Sequence, residues 1–213
     1  EAIDKLRLSD PSFAYEHETS QSFGHGFRCG FLGLLHMEIV QERLEREYDL
    51  NLILTTPNVG YRIIKRDGSV MELENPADLP NGSQIGRIEE PILAVSIFTP
   101  VTTMDAVMEL AKRKRGVFQK SEFVGDRMKI IFDIPLSEVI VDFNDLIKSA
   151  TRGYGSIDYD FKEYVPAQIT RLDILINEDP CDAFSCMVHK DRAYDKGLAL
   201  VTKLKELIPQ QLF

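Results

Sequence analysis

Apolar residues recur every three or four positions in some stretches of this chain and alternate with polar ones in others, and these changes of period mark out its elements. Between Leu34 and Tyr48, the residues Met37, Val40, Leu44 and Tyr48 fall on one stripe while Gln41, Glu42, Glu45 and Arg46 point elsewhere, which predicts an amphipathic helix. Positions 1–8 read as a shorter helix, stopped by Ser9-Asp10-Pro11. Alternating aromatics in "SFAYEHE", Ser12 to Glu18, predict a strand. A polar turn and a short apolar segment through Phe27 follow it. "LNLILTTPNVGYRII", Leu50 to Ile64, reads as a long strand bent at Pro57.

Residues 65–90 differ in kind. "RDGSV" is a hairpin turn, and "ENPADLPNGSQIG" is dense in turn formers, so the segment reads as a connector. Beyond it, Pro91 to Pro100 predicts a strand and Thr102 to Arg115 a helix. Gly116 to Pro135 predicts two strands around Gly125-Asp126. Ser137 to Ala150 predicts one helix with Ser137 as its N-cap, and Tyr154 to Pro166 predicts a strand. The order β-α-β-β-α-β is the split βαβ, or ferredoxin-like, plan. The first part, α-β-β-α-β, is the same plan without its opening strand. The fold class is therefore α+β. It comprises a truncated ferredoxin-like domain at 1–64, a connector at 65–90, a second ferredoxin-like domain at 91–166, and a C-terminal region at 167–213. That last region carries a strand, "ITRLDILINEDP", and a helix, "DRAYDKGLALVTKLKELI".

The 213 residues carry 25 basic and 34 acidic side chains, a net charge of −9. That balance argues against indiscriminate nucleic-acid binding, which needs Lys and Arg to neutralise phosphate, but it leaves room for a local basic patch. The three cysteines, Cys29, Cys181 and Cys186, read as reduced thiols. No apolar run reaches the roughly 18 to 20 residues that span a bilayer. The opening "EAIDKLRLSD" is not a signal peptide, and a start at Glu1 instead of Met reads as a piece excised from something longer.

The glycine-rich stretch from Phe23 invites a phosphate-loop reading. Gly24 and Gly26 suit G-x-G-x-x-G, but the next glycine, Gly30, comes one position late, and no GK[ST] occurs in the chain. The glycines read instead as a tight strand-to-helix turn. His25, Cys29 and His36 are metal-ligand types without an evident fourth ligand.

"GFRCGFLGLLHMEIVQERLEREYDLNLI" resembles domain III of the translational GTPases, and its Phe-Arg-Cys-Gly-Phe-Leu-Gly form is similar to that of the LepA (elongation factor 4) family. "TRGYGSIDYDFKEY" and "VHKDRAYDKGLALVTKLKELIPQQLF" resemble the same family, and the likeness runs through essentially the whole chain. The short connector, where elongation factor G has a large domain, fits LepA better. The resemblance implies domains III and V of a GTP-dependent, ribosome-binding factor that acts on tRNA position, by back-translocation, during elongation. Implied partners are the large-subunit RNA and proteins of the ribosome, tRNA, and the factor's own GTPase domain. GTP and Mg²⁺ are implied for that absent domain, so this piece is expected to be inert toward GTP, with no catalytic, cofactor-binding or metal-binding residue of its own. The implied location is cytoplasmic, with peripheral association at the inner face of the bacterial membrane. By resemblance alone, Gly24, Gly26, Arg28, Gly30, Gly33 and His36 form the relay to the GTPase domain.

Two basic groups are candidate RNA contacts. Lys112, Arg113, Lys114 and Arg115 close a predicted helix, where they either complement the helix dipole or meet phosphate. "TRGYGSIDY", Thr151 to Tyr159, nearly matches the RNP1 pattern, but Ser156 replaces an aromatic and the run lies on the fourth strand, not the third. A turn where Arg152, Gly153, Tyr154 and Gly155 approach a phosphate fits better. The split βαβ topology puts the Gly125-Asp126-Arg127 hairpin at the same end as 151–155, with Arg127 and Lys148 as neighbours, and Lys112 to Arg115 at the other end. A generic RNA-binding module and a metabolite-binding module are the alternatives, because this fold hosts many functions.

Overall fold

The stripe over 34–48 is a helix, and its buried edge is Val40 and Leu44. They pack on Leu6 and Phe13, with Tyr15, Phe31 and Leu52 around them. The computed structural model describes residues 2–20, 24–32, 34–55, 59–181 and 184–208. They divide into two units.

The first unit starts with helix α1 (Ala2–Ser9), then strands β1 (Ala14–Ser20) and β2 (Gly24–Gly30), then helix α2 (Leu34–Tyr48). β1 and β2 form an antiparallel ribbon running from Ala14 opposite Gly30 to Ser20 opposite Gly24. This is the α-β-β-α portion of the expected plan. The long strand expected over 50–64 does not form: residues 51–55 have no regular structure, and no described strand pairs with them. An extended segment becomes a strand only when a neighbour takes its N–H and C=O groups. Tyr61–Lys65, strand β3, finds such neighbours in β4 (Val70–Leu73) and β5 (Ile85–Pro100), and so belongs to the second unit.

The supposed connector is consequently part of a sheet. It holds the β3–β4 turn, where the Asp67 carboxylate accepts from the Ser69 N–H at 2.9 Å and Gly68 takes a φ of +85°. It also holds β4, a single 3₁₀ turn at Pro76–Asp78 capped by Asn75, and the start of β5. Tyr61, Ile63, Leu73 and Ile88 bury their side chains there together with Met187.

The rest of the second unit follows the split βαβ order: β5, helix α3 (Met104–Arg113), β6 (Val117–Val124), β7 (Arg127–Pro135), α4 (Leu136–Val139), α5 (Phe143–Ala150) and β8 (Ser156–Ala167). β8 pairs with β5, β5 with β7 and β7 with β6, all antiparallel. Alternation puts Leu93, Val95, Ile97, Met128, Ile130, Phe132 and Ile134 on one face, under Val107, Leu110, Ala111, Phe143 and Ile147 of the helices. Each such buried side chain contributes about 1.5–3 kcal/mol of transfer free energy. The single helix expected over 137–150 is two, α4 and α5, separated at 140–142. The β-branched run Val139-Ile140-Val141 is a poor helix former. Ser137 lies inside α4, so it is not the cap; Asp142 occupies the N-cap position of α5.

After β8 come β9 (Ile169–Leu172), a short hairpin of β10 (Leu175–Ile176) and β11 (Asp179–Pro180), β12 (Cys186–His189) and helix α6 (Lys190–Leu207). The expected strand over 169–180 is thus broken by the 175–180 hairpin, which groups with the first unit. Asn177 and Glu178 both adopt positive φ at its turn. β9 pairs with β12, and α6 packs on both, with Gly197 over Leu172 of β9.

Candidate nucleic-acid interface

The strand register of the second unit fixes what lies at each end of its sheet. Pro100, the last residue of β5, sits opposite Arg127, the first of β7, and Phe98 sits opposite Ser156, the first of β8. The β6–β7 turn, with Gly125 at φ +64°, and the 151–155 turn therefore share one end. Pro100, Thr102, Thr103, Thr151, Arg152 and Tyr154 line a shallow depression there. Arg127, Lys148, Arg152, Gly153 and Tyr154 are exposed, and Gly155 is half-buried. Among the described residues no ion pair engages Arg127, Lys148 or Arg152.

The 151–155 turn is held from beneath. α5 ends in a Schellman motif: the Gly153 N–H donates to the Lys148 carbonyl at 2.7 Å and the Arg152 N–H to the Ser149 carbonyl at 3.2 Å. Arg152 occupies the left-handed position at φ +55° where glycine is usual, and Gly153 follows at +84°. Thr151 has no exposed surface. Its hydroxyl donates to the Ile147 carbonyl at 2.7 Å and accepts from the Gly155 N–H at 2.7 Å. A Cβ at Gly155 would lie 2.6 Å from that hydroxyl oxygen, so glycine is required there. The result is a rigid turn that projects Arg152 outward.

Lys112 to Arg115 lie at the opposite end, and two of the four are occupied. Lys114 pairs with Asp142 at 2.5 Å. Arg115 grips the buried Glu90 with both of its terminal nitrogens, one of them 3.0 Å from Oε2. Lys112 and Arg113 are exposed, and the Arg113 carbonyl accepts from the Arg192 guanidinium. The partners Glu90 and Asp142 are remote in sequence, so no local pattern announces them.

The RNP1-like run does not build a stacking surface. Ile157, Tyr159 and Phe161 stand opposite Ile97, Val95 and Leu93, on the helix-covered side of the sheet. The open side carries Ser156, Asp158 and Asp160 beside Phe98, Ser96 and Ala94, with the Lys129 ammonium 5.5 Å from the Phe98 ring centroid.

In the first unit, Gly24, Gly26 and Gly30 lie within strand β2, not in a strand-to-helix turn. They sit in an extended strand paired with β1, not in a loop whose N–H groups converge at a helix N-terminus, the arrangement that cradles a triphosphate. Only Gly24 needs the left-handed region, at φ +73°. Gly33 lies outside the described residues. Arg28 pairs with Glu18 at 3.1 Å. His36 Nδ1 accepts from the Leu32 N–H at 3.0 Å while Nε2 faces the Asp10 carboxylate at 2.7 Å. With Nδ1 accepting, the proton sits on Nε2, so His36 clasps the α1–β1 loop to the start of α2. The Ser12 hydroxyl, followed by His36, holds the Asp10 carboxyl below the usual carboxylate range. His25 instead meets Thr19, and burial pushes the Cys29 thiol up. Among the described residues the three do not converge on one point.

Residues 87–175 match the family described as the elongation factor G C-terminus, and residues 176–213 the one described as the GTP-binding protein LepA C-terminus. Over its whole length the chain is 50% identical to elongation factor 4 of Streptococcus pneumoniae, in strains Hungary19A-6, JJA and P1031 among others. It spans 35% of the length of these relatives. A crystal structure of a protein from Thermus thermophilus shares the fold, with a TM-score of 0.55 at 18% identity over 78% of this chain and 38% of that one.

Proposed function

The chain belongs to the elongation factor 4 (LepA) family of translation factors, and from that premise we propose that it forms the ribosome-facing arm of such a factor. The arm positions a larger machine and performs no chemistry itself. GTP, with Mg²⁺, is bound and hydrolysed elsewhere in the factor: no GK[ST] sequence occurs here, and Gly24, Gly26 and Gly30 lie in a strand. The arm contacts large-subunit RNA and proteins, and through it the factor acts on tRNA position by back-translocation. The first unit, through the β2–α2 region clasped by His36, relays the state of the GTPase domain. The factor works in the cytoplasm and at the inner face of the membrane; among the described residues no helix is long and apolar enough to cross a bilayer.

The observation that carries the reading is the whole-length identity to elongation factor 4. Within it, the end bearing Arg127, Lys148 and Arg152 is the best candidate RNA contact. Among the described residues these cations enter no ion pair, whereas Lys114 and Arg115 are spent on Asp142 and Glu90. An acidic chain that exposes three such cations at one end can present them to phosphate despite its net charge. Reversing Arg127 and Arg152 to Glu in the full-length factor should weaken ribosome binding. It should also lower the salt dependence by about one unit of log–log slope per lost contact. Co-sedimentation with ribosomes over a series of salt concentrations measures both, and unchanged affinity and slope would dismiss this end as the contact.

A further inference from the structure

Two edge strands of the second unit's sheet, β6 and β8, are defended very differently. Among the described strands β6 pairs only with β7, and it carries Lys120 at a register shift between Phe118 and Lys120. A bulge and an edge lysine are the devices by which proteins stop a sheet from recruiting another strand. Among the described strands β8 pairs only with β5, and from Ser156 to Phe161 its register is unbroken. It has no lysine, arginine or proline in that stretch. No described backbone hydrogen bond outside the β5 ladder reaches those six residues.

The stretch also alternates in character. Tyr159 and Phe161, exposed by 53% and 58%, flank the helix-covered side, while Asp158 and Asp160 lie on the other. Among the described residues no ion pair or side-chain hydrogen bond engages either aspartate. The nearest cation along the strand, Lys162, is bound to Asp133 at 2.6 Å.

We propose that the outer edge of β8, from Ser156 to Phe161, receives an extended protein segment as an added antiparallel strand, one that carries Lys or Arg at alternate positions and apolar residues between them. The open N–H and C=O groups provide the ladder. Asp158 and Asp160 would pair with the cations on one face, and Tyr159 and Phe161 would cover the apolar side chains on the other. The same residues argue against other occupants. A second copy pairing antiparallel about Tyr159 would put Asp158 opposite Asp160, and like charges directly across a ladder repel. Nucleic acid would bring phosphates to the two carboxylates. This edge is distinct from the basic tip proposed above and does not depend on it.

The test uses the whole chain and a fluorescent probe peptide, acetyl-Lys-Val-Lys-Val-Lys-Val-Lys-amide, with anisotropy as the readout. Saturable binding is expected, along with slowed amide exchange at residues 156–161. Asp158→Asn and Asp160→Asn should each weaken it roughly two- to fivefold, and about tenfold together. Replacing every Lys of the probe by Glu, or N-methylating alternate amides on one edge, should abolish it. Equal binding of the Glu or methylated peptide, or no effect of the two Asn variants on a normally folded chain, overturns the proposal. So does a dimer of the unliganded chain that Tyr159→Lys disrupts, which would assign the edge to a second copy.

Discussion

Arg115 folds its guanidinium back onto the buried carboxylate of Glu90 from a backbone position that ordinarily belongs to glycine. Its φ is +57°, and it caps α3 through a Schellman motif in which the Gly116 N–H donates to the Ala111 carbonyl at 2.8 Å. Arg152 repeats the arrangement at the end of α5, at φ +55°, but is exposed and, among the described residues, in no ion pair. Two arginines with one local conformation thus have opposite employment, one internal and one outward.

Replacing Arg115 by glycine relieves about 1 kcal/mol of left-handed backbone strain. It also strands Glu90, only 3% exposed, without its counter-ion, at a cost of about 3–5 kcal/mol. The second effect wins. Arg115→Gly should lose about 2–4 kcal/mol in urea unfolding, and adding Glu90→Leu should restore most of it.

Arg152→Gly should do the reverse. The same strain is relieved and no internal pair is broken, so the chain should gain about 1 kcal/mol or slightly less. Ribosome co-sedimentation of the full-length factor should weaken in the same variant. A variant that is more stable and binds less well separates a contact role for Arg152 from a structural one.

The support beneath that turn can be removed without touching a charge. Thr151→Val keeps the shape but leaves the half-buried Gly155 N–H without its acceptor, which should cost about 1–2 kcal/mol. Hydrogen exchange at Gly155 should accelerate in the same variant. Gly155→Ala should be at least as damaging, because the new methyl meets Thr151 at 2.6 Å.

Tyr61 gives the second unit a characteristic alkaline response. Burial first, and then the negative charge of Glu90, push its phenol up to about 12, against a usual 10.0. A raised folded-state value means that this contribution is complete below pH 10 and is lost as pH rises toward 12. With Tyr61 only 3% exposed, the loss approaches about 2–3 kcal/mol, of order 1.4 kcal/mol per pH unit. Tyr61→Phe should remain flatter than the parent in urea midpoints measured from about pH 9 upward.

How much of this was legible beforehand depended on whether each signal was local. The Val40–Leu44 stripe foretold α2, and the β-α-β-β-α-β order of the second unit followed from periodicity and turn chemistry at Gly125-Asp126. Residues 51–55 and 61–65 look alike as apolar strand sequence, yet only the latter acquires partners, and pairing is not written in either segment. The basic run Lys112 to Arg115 was ambiguous for the same reason, since its carboxylates lie 25 and 28 residues away. Asn75, Asp67 and Ser69 advertise their turn and cap plainly, but not that the segment containing them is the margin of a sheet.

β5 continues as one strand for 16 residues, about 50 Å of extended chain, with a register shift against β8 between Ile92 and Leu93. Its first turns of pleat anchor Ile88 in the cluster around Tyr61 and Met187, and its far half supplies Leu93, Val95 and Ile97 to the cluster beneath α3 and α5. Because one covalent beam is built into both hydrophobic clusters, neither can swing without dragging the other. A displacement imposed where α6 rests on β9 and β12 should travel along β5 toward the Pro100–Arg127 end, as in a lever whose one elbow is the register shift at Ile92–Leu93.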